Sequence, residues 1–108
     1  MFAKHENSGY EATPLQGIRM KTLCYGAKTL MTEFLLDAGS VLPAHDHPHE
    51  QTGYLVRGQI ILTIDGKEHD VSAGDSWAIP SNIEHGARIL EDSIAIEVFS
   101  PVRKDYLP

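Results

Sequence analysis

Cysteine is almost missing from this chain. Cys24 stands alone, so no intrachain disulfide can hold the fold together. Read by itself, Cys24 is expected as a small buried hydrophobe on a strand. No apolar run approaches the roughly 18 residues of a membrane span. Met1-Phe2-Ala3-Lys4-His5-Glu6-Asn7 lacks the apolar stretch of a signal peptide, so a reducing cytoplasm is the expected location. Basic residues are scarce, with 9 Lys and Arg against 15 Asp and Glu, and the formal net charge is −6. They form no run or stripe, which argues against a nucleic-acid partner, as the lack of a span argues against a membrane one. A locally positive pocket could still recruit a small anionic molecule. Also absent are internal repeats, low-complexity tracts, linkers and any helix-period stretch longer than one turn.

What remains is a chain of 108 residues, 42% hydrophobic, sized for one compact domain over residues 1–108. Residues 1–13 are polar and read as an arm. Beyond them the hydrophobic period is near two and turn residues recur at strand spacing. Strands are expected over 17–25, 29–36, 41–47, 53–58, 59–64, 67–71, 76–79 and 93–99. Pro43 and Pro48 confine the 41–47 segment to a sheet edge or a strand end. Asp65-Gly66 is a strong two-residue hairpin signal. Many short strands with Gly and Pro turns predict an all-β sandwich or barrel.

The chemistry concentrates in His45-Asp46-His47-Pro48-His49-Glu50-Gln51. On a strand, residues two apart share a face, so His45 and His47 can turn both imidazoles toward one ion. Gln51 has matching parity, but Pro48 interrupts the strand, and a hairpin would bring the amide round better. His85, after Pro80, could complete a set of three nitrogens and one amide oxygen. Such neutral ligands leave a divalent ion its full charge, which favours an anionic substrate. They accept Zn, Ni, Cu, Fe or Mn without choosing among them. His49 lies between these positions and reads as a surface residue or one supporting the ligands, and His5 and His69 as solvent-facing. Trp77 and Tyr54 read as packing residues.

Gly39-x5-His45-x-His47-x3-Gln51-x6-Gly58 resembles the first motif of the cupins, and Gly74-x5-Pro80-x-Asn82-x2-His85 resembles the second. The fifteen residues between Gly58 and Gly74 are similar to the spacer of small single-domain cupins. Three positions depart from the pattern. Gln51 stands where most cupins carry Glu, Asn82 where many carry Gly, and Ile89 where the second motif ends in Asn. The resemblance covers residues 36–103 and implies a double-stranded β-helix, or jelly-roll barrel, with one divalent metal in its mouth and a homodimer as assembly.

Glu97-Val98-Phe99-Ser100-Pro101-x-Arg103-x-Asp105-Tyr106-Leu107, taken with the histidine cluster, is similar to the KdgF-like cupins of uronate catabolism. That resemblance implies ring opening of 4,5-unsaturated uronates into linear keto acids. It implies His45, His47, Gln51 and His85 as metal ligands, Glu97 as the proton-transfer residue, and Phe99 and Arg103 as substrate contacts. Glu97 stands where that family carries Asp.

Strand parity leaves the placement of Glu97 open. Ala95, Glu97 and Phe99 share one face, and Ile94, Ile96 and Val98 the other. The Ile/Val face looks like core, which would send Glu97 to solvent unless both faces are covered. Arg103 in the tail reads as a surface charge or as a bidentate carboxylate clamp. The functions expected are thus a metal-dependent enzyme on a small carboxylated sugar or keto acid, a non-catalytic ligand-binding or sensor cupin, or a metal-dependent dioxygenase.

Overall fold

A computed structural model describes residues 1–108. Ten strands follow one another: β1 Glu11–Ala12, β2 Ile18–Tyr25, β3 Leu30–Leu36, β4 Val41–His45, β5 Glu50–Arg57, β6 Gln59–Ile64, β7 Lys67–Ser72, β8 Ser76–Ile79, β9 His85–Ile89 and β10 Ser93–Ser100. One turn of 3-10 helix, Lys104–Tyr106, is the single helical element. The strands form a six-stranded sheet, β1-β2-β3-β10-β5-β8, and a four-stranded sheet, β4-β9-β6-β7. Every pairing is antiparallel.

The sheets face each other across one core. Leu55 and Ala95 of the larger sheet meet Ile60, Leu62, Val71, Ala87 and Ile89 of the smaller. Each of the large apolar chains contributes roughly 1.5–3 kcal/mol by leaving water. The hairpin expected at Asp65-Gly66 joins β6 to β7 with φ of 51° and 77°. Two positive φ values in succession match the twist of the flanking strands. Asn82 also lies in the left-handed region, at φ 63°. A glycine is commonest there, and Asn tolerates it better than other side chains.

Sequence and structure part at several points. Pro43 does lie in an edge strand, but β4 stops at His45, so His47 belongs to the turn that follows. A strand spans His85–Ile89 where only a strand entrance is expected from sequence. Cys24 is half-buried, beside Met31 in register rather than in the core. Tyr54 is 49% exposed on the outer side of β5 and packs into no core. In β10 the inward residues are Ala95 and Phe99, both buried, with Glu97 between them, and Ile94, Ile96 and Val98 face outward. The Ile/Val face of this strand is therefore its outer face.

Candidate metal centre

The smaller sheet supplies two imidazoles directly. His45 and His85 are register partners on β4 and β9, with ring centroids 4.2 Å apart. His47, from the turn after β4, lies 5.0 Å from His85 and 5.7 Å from His45 by the same measure. One nitrogen of each ring lies within 4.8 Å of the others. Small side-chain movements bring such atoms to the roughly 2.1 Å that an ion requires.

The tautomers are set by the backbone. The Nδ1 atoms of His45, His47 and His85 contact the carbonyl oxygens of Pro43, His49 and Ile83, each at 2.9 Å. A carbonyl only accepts, so each Nδ1 carries the proton and each Nε2 presents a lone pair. His49 is half-buried and acts here through its main chain, by orienting His47.

Gln51 comes from β5 of the opposite sheet and is 4% exposed. Its Oε1 lies 2.7 Å from His47 Nε2, and its Nε2 donates to Glu97 Oε1 at 2.9 Å. With Nδ1 of His47 holding the proton, two Lewis bases face each other at 2.7 Å. A cation held by both atoms would satisfy that contact, and burial, followed by the charges of Arg103 and His45, holds the His47 pKa below its usual value despite the hydrogen bonds. Burial also lowers His85, with His45, His47 and Arg103 acting in the same direction. The residues present therefore fit a divalent metal held by three imidazoles and one carboxamide oxygen.

Glu97 turns inward, into the wall of this site. Its Oε1 accepts from Gln51 Nε2 and also from Trp77 Nε1 at 3.1 Å. Desolvation dominates and raises its pKa to about 7, although the Trp77 and Gln51 hydrogen bonds and the Arg103 charge pull it down. Trp77 is a site residue as well as a packing one. The hint in the sequence is Gly53, of the same parity as Gln51, since glycine inside a strand often marks a close approach, but it does not say which group approaches.

Phe99 is buried, with its ring 5.8 Å from that of His47. The tail returns over the site after a cis Ser100–Pro101 peptide and is pinned where Thr22 Oγ1 donates to the Tyr106 carbonyl at 2.5 Å. Arg103 lies 4.0 Å from the Tyr106 ring centroid and 5.0 Å from that of Phe99. Its Nε and Nη2 donate to the Asp105 carboxylate at 3.3 and 2.8 Å. Asp105 takes two of the five guanidinium N–H groups and leaves three free. The histidines, Gln51, Glu97, Phe99 and Arg103 line one open cavity of about 660 Å³, its mouth included.

This architecture and site define the class. The cupin-domain family model matches residues 32–100, and the chain belongs to the cupin family. Within it, the chain is 30% identical over 93 residues to the pectin degradation protein KdgF of Dickeya dadantii, covering 84% of each chain. The structure of KdgF from a Halomonas species superposes with a TM-score of 0.93 at 31% identity, over 99% of this chain and 98% of that one. An RmlC-like cupin from Shewanella frigidimarina gives a TM-score of 0.92 at 29% identity, over 98% and 95%. The chain is thus a small cupin resembling KdgF, with three histidines placed to hold a metal. No helix is long and apolar enough to cross a membrane.

Proposed function

We propose that this cupin is a metal-dependent isomerase that opens the ring of 4,5-unsaturated uronates and releases linear keto acids. The observation that carries this reading is the inward carboxylate of Glu97, beside the Gln51 amide and in the same cavity as Arg103. Similarity to a pectin degradation protein supports it independently.

The reaction moves protons and no net electrons. The bond between C1 and the ring oxygen breaks as the C1 hydroxyl loses its proton, and the ring oxygen becomes an enol hydroxyl. Ketonisation then leaves a carbonyl at C5 and delivers a proton to C4. A carboxyl group with a pKa of about 7 is populated in both forms near neutrality, as a group that both takes and returns a proton must be. Two N–H donors converge on Glu97 Oε1, so a proton on this group belongs to Oε2. Arg103 offers its remaining N–H groups to the substrate carboxylate, and Phe99 packs beneath it. The divalent ion, when bound, supplies Lewis acidity toward a substrate oxygen.

The test uses metal-reconstituted protein and an unsaturated uronate monosaccharide, following loss of the enol-ether absorbance and, by NMR, appearance of the keto acid. Glu97→Gln keeps an acceptor for Gln51 and Trp77 but carries no titrating proton. Its kcat is expected to fall by about a hundredfold or more with metal retained. No turnover by the native protein, or native turnover by Glu97→Gln, overturns the assignment. We also propose that the functional unit is a homodimer formed through the outer face of the six-stranded sheet, where Ile94, Ile96, Val98 and Tyr54 leave apolar surface in contact with water.

A further inference from the structure

We infer that Gly53, Trp77 and Glu97 form a relay that aims the carboxamide oxygen of Gln51 at the metal, with Trp77 as its positioning residue. This rests on the reading above that three histidines and Gln51 hold a divalent ion.

The relay crosses three neighbouring strands. Gly53 on β5 is the register partner of Trp77 on β8 and of Glu97 on β10. The outer two strands lie roughly 10 Å apart, twice the strand spacing. An ordinary side chain at position 53 would stand between them. A Cβ built on Gly53 would fall 2.2 Å from Trp77 Cε2, 2.3 Å from Nε1 and 2.4 Å from Cζ2. The indole therefore lies directly over the glycine and reaches across β5 to Glu97.

Donor and acceptor chemistry then fixes every later link. The indole N–H can only donate, and it donates to Glu97 Oε1. That oxygen must accept, so the Gln51 amide meets it with its NH2 end. The amide has one other end, the oxygen, and this points at His47 Nε2. Reversing the amide would set its oxygen against a carboxylate oxygen and turn N–H groups, which cannot ligate, toward the ion. Groups that orient metal ligands in this way commonly govern affinity by 10- to 100-fold.

The experiment is a competition titration of Zn2+ against a chromophoric chelator, with folding checked by circular dichroism. Trp77→Phe keeps an aromatic side chain without the indole N–H, and Gly53→Ala displaces the indole. Both are expected to weaken Zn2+ binding by about tenfold or more. In a Gln51→Leu background neither change should weaken it further, because no amide is left to aim. A merely structural role for Trp77 would lower affinity in both backgrounds. Trp77 is the only tryptophan, so its emission gives a second readout that needs no substitution at position 77. Zn2+ should shift that emission in the native protein, and the shift should vanish in Gln51→Leu, which keeps all three histidines. Native Zn2+ affinity in Trp77→Phe, or an unchanged emission shift in Gln51→Leu, overturns the relay alone. Failure of the native protein to bind Zn2+ removes the metal reading beneath it.

Discussion

Glu97 occupies the inward position between Ala95 and Phe99, where desolvation raises its pKa from 4.5 to about 7. The sign of the effect on stability follows from linkage. Between those two values the folded chain keeps a proton that the unfolded chain has lost, so stability falls as pH rises through the interval. Above about 7 the penalty is constant, and below about 4.5 it is gone. Glu97→Gln removes the penalty. In metal-free protein its melting temperature should exceed the native value at pH 8 and converge on it toward pH 4. A difference independent of pH would contradict the burial argument. The lowered pKa values of His47 and His85 act oppositely, since the unfolded chain takes up protons first, and stability is lost as pH falls below the usual histidine range. That slope is common to both variants and cancels in the comparison. The set of His45, His47 and His85 was legible in the sequence because its spacing matches the two cupin motifs, whereas a His-x-His pair alone is common on polar strands. The roles of Trp77 and Gly53 were not, because they depend on which strand lies beside which.

Most strands were legible from alternation and from their turns, and the β6–β7 hairpin from two residues. Strand β9 was not, because His85, Gly86, Ala87 and Ile89 are all buried and the segment shows no alternation. The orientation of β10 was ambiguous for the opposite reason: both of its faces carry apolar residues, so parity alone cannot choose the inner one. The β5–β6 junction offers a test at this scale. Gly58 has φ +103°, and a Cβ there would lie 2.0 Å from Ser93 Oγ and 2.7 Å from the Asp92 carbonyl oxygen. Ser93 Oγ accepts from the Gln59 amide and donates to the Glu91 carbonyl, so displacing it breaks two hydrogen bonds at once. Gly39 has a similar φ of +86°, but its Cβ would meet nothing within 4 Å. Denaturant titrations should show a loss of about 1 kcal/mol for Gly39→Ala, from backbone conformation alone. Gly58→Ala should lose about 3 kcal/mol, with steric and hydrogen-bond costs added. Equal losses would mean that the close approach at Gly58 relaxes freely.

At the scale of the molecule, the two outer halves of the larger sheet differ. The amino-terminal arm crosses β2 and β3, where Lys21 Nζ donates to the Glu6 and Ser8 carbonyls and Tyr10 donates to Glu33. The β10–β5 half has no such cover, and Tyr54 and Val56 are about half exposed. A second copy of the same face would bury this surface symmetrically. Light scattering should report twice the chain mass for native protein and a single chain for Ile96→Lys. A native monomer at micromolar concentration would remove the dimer proposal. The carboxyl-terminal segment has a practical consequence for anyone preparing the protein. Tyr106, two residues before Pro108, stacks on Arg103 and shares its cavity. A polyhistidine extension after Pro108 would hang further imidazoles at the entrance, where they can compete with His45, His47 and His85 for a metal ion. Affinity handles therefore belong on the amino-terminal arm, away from the cavity that Tyr106 lines.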